Sequence, residues 1–217
     1  MTRLYTNETA CKFNVPLAGN EFVNMQIRAL CVYCGSARQV RPSHLQAARE
    51  LGALAAKAGV DIVYGGGRIG MMGAVAEGAQ DAGGRVVGII PQHLEALEVG
   101  NRAASEYLVV DSMHARKQLM AERSDAFCAL PGGLGTLDET FEIITWRQLK
   151  LHDKPVILVN LEGYWDPLLR LLDHQTAEGY LRGGNAGLFH VVERVDQVLE
   201  AAANAPRPAL PDKIERM

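Results

Sequence analysis

The sequence predicts an α/β protein with a Rossmann-like, doubly wound parallel sheet in a single domain. Short apolar runs alternate with amphipathic helical segments, the loops between them are short, and glycines follow several of the apolar runs. Strands that alternate with helices in this way pair in parallel, with helices on both faces of the sheet. A chain of 217 residues with 48% hydrophobic and 22% charged residues is long enough for one such domain.

The first half of the pattern contains three strands, each followed by a helical or polar segment. An apolar run at 27–36, closed by Gly35 and Ser36, is typical of a buried parallel strand. The helix that follows has Ser43 as its predicted N-cap and Gly59 as its stop. A second strand at 60–67, a second helix at 70–84 and a third strand at 85–91 complete this half.

The second half is less regular at both ends. Residues 92–106 are polar with a weak helical pattern, and a short strand follows at 107–111. Ser112 is the predicted cap of a helix that extends to 124. The remaining predictions are strands at 125–133, 154–160 and 188–192, and helices at 136–151, 165–179 and 194–204. The domain is therefore predicted to span 27–205, with a flexible or strapped extension at 1–26 and a Pro-rich tail at 206–217.

Composition argues against several classes of partner. A net charge of −3 with interspersed signs leaves no basic stripe for nucleic acid, and no apolar run approaches the roughly 20 residues of a membrane span. The first 26 residues lack the apolar core of a signal peptide, which predicts a cytoplasmic protein. The expected partner is a small molecule, with no nucleic acid and no membrane.

The four cysteines do not form the framework of a disulfide-rich protein. Cys31 and Cys34 have a spacing that redox and zinc sites also use, but residues three apart on a strand face opposite sides. No second cysteine or histidine pair completes a metal set, and the six histidines lack metal-binding spacing. Buried packing is the favoured interpretation, and neither a metal nor a cofactor is predicted.

Three loops follow predicted strands at the edge where doubly wound sheets bind ligands. They supply the candidate binding residues Gly35 and Ser36, Gly66 and Gly67, and Gly132. The second loop matches G-x-G-x-x-G at Gly65, Gly67 and Gly70, but the next strand ends at 90–92 without the acidic residue that would hold a ribose. An NAD site, as in an oxidoreductase, is therefore disfavoured. A mononucleotide or backbone-packing role and a purely structural turn remain open.

The third loop, "LPGGLGTLDE" at 130–139, is typical of an anion site. Glycines at a strand-to-helix turn let backbone amides approach a phosphate, which the helix dipole also favours. Thr136 can cap the helix or donate to the same phosphate. The loop is not a P-loop, because no Gly-Lys-Ser/Thr follows. Asp138 and Glu139 both suit a helix amino terminus, and adjacent helical residues point about 100° apart, so one can face solvent and the other the pocket.

A basic pair lies in the helix before this loop. Met113, Arg116, Lys117 and Met120 share one helical face. Arg116 and Lys117 can therefore form a clamp for a phosphate or carboxylate, or they can extend past core methionines to solvent.

Met113 to Lys117, "MHARK", together with Pro131 to Glu139, "PGGLGTLDE", resembles the Lonely guy family of cytokinin riboside 5'-monophosphate phosphoribohydrolases, often mislabelled lysine decarboxylases. The similarity covers roughly 27–192. The family implies a Rossmann-like homodimer that hydrolyses the N-glycosidic bond of a nucleoside 5'-monophosphate. A nucleotide-binding or carrier protein on the same fold, without hydrolysis, is the alternative.

The resemblance also implies roles for individual residues. Arg116 and Glu139 would be the catalytic pair. The substrate-binding residues would be Glu98, Lys117, Gly133, Leu134, Gly135, Thr136, Leu137, Asp138 and Thr145. Met113 belongs to the same motif, and Glu98 is placed by its spacing before it. Leu134 stands where the family commonly has an aromatic residue.

Overall fold

The predicted fold class is confirmed in a computed structural model that describes residues 26–98, 100–181 and 187–205. Seven parallel strands form one sheet, flanked by seven α-helices among these residues. The strands are β1 Ala29–Tyr33, β2 Asp61–Tyr64, β3 Val86–Pro91, β4 Glu106–Val110, β5 Ala126–Ala129, β6 Val156–Val159 and β7 His190–Val192. The helices are α1 Pro42–Lys57, α2 Gly70–Asp81, α3 Gln92–Glu98, α4 Met113–Glu122, α5 Leu134–Gln148, α6 Asp166–Ala177 and α7 Val198–Ala203. The predicted extension before Gln26 and the tail from 206 lie outside the described residues.

The strand order β4-β3-β2-β1-β5-β6-β7 places the reversal of winding between β1 and β5. At this point Leu30 lies beside Ala126 on one side and Ile62 on the other. The loops that follow β1 and β5 are in direct contact, since the Gly35 amide donates to the Pro131 carbonyl at 3.0 Å. Ligands of open α/β sheets bind in such a crevice.

The core lies on both faces of the sheet. Along β1, Leu30 and Val32 pack with α1, α2 and α7, whereas Cys31 and Tyr33 pack with α4, α5 and α6. Cys34 belongs to the first face, so the two cysteines face opposite sides as predicted. Burial raises the pKa of the Cys34 thiol, which favours packing over thiolate chemistry. Within the described ranges no three His, Cys, Asp or Glu side chains are grouped as a metal site requires.

Two predicted helix starts are wrong. The first helix begins at Pro42, with Arg41 at the N-cap, so Ser43 is not the cap. Proline is well suited to the first helical position because its missing N–H has no intrahelical acceptor there. The helix after β5 begins at Leu134, two residues before Thr136. By contrast, the predicted Ser112 cap is confirmed, because its side chain accepts from the Ala115 amide at 3.1 Å.

The weakly patterned segments have regular structure where they are described. The first part of 92–106 forms the seven-residue helix α3. A 3-10 turn at Val195–Gln197 precedes α7, which therefore starts later than the sequence pattern predicts. Of the helices in the described ranges, none has the length and apolar character required to cross a membrane.

Burial of His190 and His152 makes stability dependent on pH. Burial lowers the pKa of His190 and of His152 from the ordinary 6.5. Between the lowered and the ordinary pKa, the unfolded chain binds more protons than the folded protein. The free energy of unfolding should therefore fall as the pH is lowered from about 7.5 to about 5.

Urea unfolding at the two pH values measures this loss. We expect His190→Gln to reduce the difference in unfolding free energy between them, whereas His93→Gln, at an exposed position of α3, leaves it unchanged. An equal loss in the His190 variant and the wild type would contradict the assignment.

Candidate active site

The three glycine-containing loops meet at the carboxyl ends of β1, β2 and β5. Gly35 packs against the third loop, since a Cβ there would lie 3.4 Å from the Gly132 Cα. Its carbonyl accepts from the amide of Met71 at 3.0 Å, which connects the same loop to the start of α2. Gly70, at φ +63°, passes so close to the carbonyl of Ala37 that a Cβ would lie 2.5 Å away. The first loop therefore joins the other two.

The segment after β5 at 132–136 forms an open turn that includes the first residues of α5. Gly133 is the N-cap, and none of the described side chains caps the helix. The amides of the first helical turn have no intrahelical acceptors. Around Gly133 and Gly135, no described atom beyond the immediate neighbours would lie within 4 Å of an added Cβ. Leu134 is 86% exposed. The turn therefore has backbone donors beside open space, as an anion site requires.

Thr136 is buried within this turn. A Cβ on Gly132 would overlap the Thr136 side chain, so glycine is required for their packing. Thr136 is 4% exposed, and its carbonyl accepts from the Thr140 hydroxyl at 2.6 Å. Because the helix begins earlier, Thr136 occupies the third helical position and does not cap the helix.

A nearly buried ion pair lies beside the turn. Arg116 Nη2 is 3.3 Å from Glu139 Oε1, and the two side chains are only 7% and 9% exposed. They come from α4 and α5, which flank β5 in sequence. On its other side, Arg116 Nη1 lies 3.8 Å from the sulfur of Met113. The guanidinium and the carboxylate thus lie together, largely shielded from solvent.

Gly65 is required for the position of Arg116. A Cβ on Gly65 would overlap the guanidinium, and it would lie 3.3 Å from the Met72 sulfur. Gly65 is part of the G-x-G-x-x-G match but is not among the site residues predicted from the sequence. Its position directly after β2, at the ligand-binding edge of the sheet, is the sequence feature that could have indicated a role in the site.

The other glycines of this loop pack against backbone. Gly66 has φ +77° and lies against Ile89 and Ile90. Gly67 forms an antiparallel bridge with Gly100, and the Gly66 carbonyl accepts from the Asn101 amide at 2.9 Å. These contacts favour the backbone-packing alternative for the G-x-G-x-x-G match.

Lys117 forms two ion pairs with α5. Its Nζ lies 3.0 Å from Asp138 Oδ2 and 3.1 Å from Glu142 Oε1. Burial disfavours the charged amine, but hydrogen bonds to these two carboxylates raise the Lys117 pKa above its ordinary value. Glu142 lies one helical turn after Asp138 but is not among the site residues predicted from the sequence. Lys117, on α4, is thus a charged ammonium group that forms ion pairs with α5, the helix that carries Glu139.

The two adjacent carboxylates differ in exposure, as helical geometry predicts. Asp138 is 58% exposed at its side chain, whereas Glu139 is 9% exposed. The prediction that both lie in the first helical turn is wrong, since α5 begins at Leu134. The ion pair with Lys117, rather than an interaction with the helix dipole, explains why a carboxylate stands at position 138.

The remaining candidate residues are Ser36, Leu137, Thr145 and Glu98. Ser36 is exposed after β1, and Leu137 is half-buried in the core of the second face. Thr145 is exposed six residues after Glu139, about 9 Å further along α5. Glu98 is the last residue of α3, and its side chain lies outside the described part of the chain.

Comparison with known proteins identifies close relatives. Residues 72–202 match a family model described as "Possible lysine decarboxylase". A probable cytokinin riboside 5'-monophosphate phosphoribohydrolase of Oryza sativa subsp. japonica is 48% identical over 164 residues, which cover 76% of this chain and 72% of the relative. A cytokinin riboside 5'-monophosphate phosphoribohydrolase of Arabidopsis thaliana is 44% identical over 165 residues, covering 76% of this chain and 77% of the relative.

Solved structures share the fold at lower identity. The molybdenum cofactor carrier protein of Chlamydomonas reinhardtii superposes with a TM-score of 0.62 at 24% identity, covering 81% of this chain and 96% of that chain. At this identity the similarity establishes a common architecture alone.

Proposed function

Since this chain belongs to the Lonely guy family of cytokinin riboside 5'-monophosphate phosphoribohydrolases, we propose that it hydrolyses the N-glycosidic bond of a purine nucleoside 5'-monophosphate. Water and the nucleotide would yield the free base and ribose 5-phosphate. A cytokinin-type nucleotide, with a substituted adenine, is the proposed substrate class.

The observation that carries this proposal is the Arg116–Glu139 pair beside the glycine-rich turn. Cleavage of a glycosidic bond develops positive charge on the sugar, and a carboxylate near the anomeric carbon stabilises that charge. Glu139 is the nearly buried carboxylate of this pair. It would stabilise the sugar cation and orient or deprotonate the attacking water.

The turn at 132–136 would bind the 5'-phosphate. Its exposed amides and the α5 dipole favour an anion, and the bound phosphate would hold the sugar against Glu139. Arg116 would orient the Glu139 carboxylate or contact the ribose. Lys117, already paired with Asp138 and Glu142, would contribute positive charge near the same anion.

The charge state of Lys117 argues against the decarboxylase description. Amino-acid decarboxylation by pyridoxal phosphate requires a lysine that forms a Schiff base with the cofactor. A nucleophilic lysine needs a lowered pKa, whereas the two carboxylates raise the pKa of Lys117. Within the catalytic cluster described above, Lys117 is therefore unsuited to that role.

Incubation with AMP and with isopentenyladenosine monophosphate tests the proposal. We expect free base and ribose 5-phosphate from at least one of them, separated and quantified by chromatography. Absence of base from both would overturn the proposal. A calorimetric binding signal without product would instead support the carrier alternative.

We also propose a homodimer, for which exposed apolar residues along α5 and at its C-cap residue, Leu149, provide support. Leu134, Phe141 and Leu149 follow one another at helical spacing and are 86%, 37% and 48% exposed. Thr145 lies on the same stripe, so a partner subunit packed there would cover it.

The free, buried thiols of Cys31, Cys34 and Cys128 support a cytoplasmic location. The net charge of −3 supports a small-molecule partner rather than a nucleic-acid partner.

A further inference from the structure

A tyrosine from the loop after β6 contacts the proposed phosphate-binding turn. The Tyr164 hydroxyl donates to the Gly132 carbonyl at 2.6 Å, across 32 residues of sequence. We propose that Tyr164 is a positioning residue for phosphate recognition. The inference rests on the proposed function, because it assigns the turn to the 5'-phosphate.

The effect of this hydrogen bond follows from the geometry of the peptide group. The Gly132 carbonyl and the Gly133 amide belong to one planar trans unit, so their C=O and N–H bonds point in opposite directions. A hydroxyl that holds the carbonyl therefore fixes the direction of the Gly133 N–H. This N–H points away from Tyr164, on the side of the turn where an anion would bind.

The turn needs such a restraint because of its composition. Gly132 and Gly133 have no side chains that restrict their backbone angles. The Thr136 side chain packs over the Gly132 Cα, and the Gly35 amide holds the preceding Pro131 carbonyl. Tyr164 restrains the next carbonyl in sequence. Amides that are oriented before the ligand arrives bind it without the cost of ordering the loop.

Tyr164 is itself held by a compact turn between β6 and α6. The Asn160 side chain accepts from the Trp165 amide at 2.7 Å and donates to Asp166 at 2.8 Å. The Tyr164 amide donates to the Leu161 carbonyl at 2.9 Å. These bonds fix the backbone on both sides of Tyr164.

Three further contacts fix the Tyr164 ring and the outer side of the turn between β6 and α6. The ring packs edge-on against Trp165, with 4.9 Å between centroids, and against His44, at 5.8 Å. Glu162, at φ +52°, forms an ion pair with Arg41 at 2.8 Å. The hydroxyl thus belongs to a rigid element that also contacts the start of α1. Its place in the fold does not depend on the phosphate turn.

Tyr164→Phe removes the hydroxyl and keeps the ring. We expect the KM for the nucleoside monophosphate to rise about 5–10-fold with kcat changed less than about 3-fold. The dissociation constant of ribose 5-phosphate, measured by calorimetry, should rise by a similar factor, whereas that of free adenine should not change. Tyr180→Phe, at a position that is 86% exposed, is the matched control.

The two dissociation constants and the melting temperature distinguish a role of Tyr164 in orienting the turn from a role in stabilising the fold. Unchanged ribose 5-phosphate affinity in Tyr164→Phe would overturn the proposal. So would an equal loss of adenine and ribose 5-phosphate affinity together with a lower melting temperature. If the wild type binds ribose 5-phosphate but releases no base, the proposed hydrolysis fails and the binding comparison still decides the role of Tyr164. If the wild type does not bind ribose 5-phosphate, both the assignment of the turn and the role of Tyr164 are wrong.

Discussion

Glu139→Gln should reduce base release by about 10²–10⁴-fold, the range expected when a positioned carboxylate is lost from a proton-transfer or charge-stabilising role. The amide has nearly the same shape and still offers an oxygen to Arg116, so the protein should fold normally. It should also still bind nucleotide, because the glycine-rich turn is intact. Steady-state kinetics, circular dichroism and calorimetry with AMP measure the three properties.

Glu122→Gln is the matched control, since Glu122 is an exposed carboxylate at the end of α4. It should retain wild-type kinetics. Turnover within about 3-fold of wild type in Glu139→Gln would remove Glu139 from the catalytic role. Loss of both folding and binding would show that the ion pair is needed for structure instead.

Gly65→Ala should lower kcat by about 10²-fold although it adds a single methyl group. That methyl would occupy the present position of the Arg116 guanidinium, so Arg116 must leave the position in which it pairs with Glu139. Displacement of a catalytic group by about 1 Å is sufficient for a loss of this size. The displaced atoms are the end of a long side chain, so the melting temperature should change by only a few degrees.

A double-mutant cycle tests whether Gly65 acts through Arg116. If it does, Gly65→Ala combined with Arg116→Ala should be no less active than Arg116→Ala alone, within about 3-fold. Additive losses in the double variant would show that the methyl group disturbs the site by another route. The Met72 sulfur, 3.3 Å from the added carbon, would then be the neighbour to examine.

Much of this architecture is predictable because the relevant signals are local. Alternating apolar runs and helical segments predict the parallel sheet, and the residue pattern of α4 predicts the common face of Arg116 and Lys117. The Ser112 cap is also a local signal and is confirmed. The predicted starts of α1 and α5 are wrong because Pro42 and Leu134 are compatible with the helix and extend it beyond the residue chosen as a cap.

The contacts that complete the site are not local, which is why the sequence did not identify them. Gly65 and Arg116 meet only after β2 and α4 have packed on the sheet. The bond between Tyr164 and Gly132 joins two separate loops, and no periodic pattern signals it. The partners of Lys117 on α5 were recognisable only in part, through the helical spacing of Asp138 and Glu142.

The position of β1 beside β5 has a consequence for folding kinetics. Arg116 and Glu139 lie on consecutive helices joined through β5, whereas the contact between the amide of Ala29 and Asp125 spans 96 residues. Such distant pairings carry the larger entropic cost of loop closure and form slowly. The first and third glycine loops can meet only after β1 and β5 have paired. Recovery of hydrolysis during refolding would therefore follow the joining of the two halves of the sheet rather than the earlier appearance of helical structure.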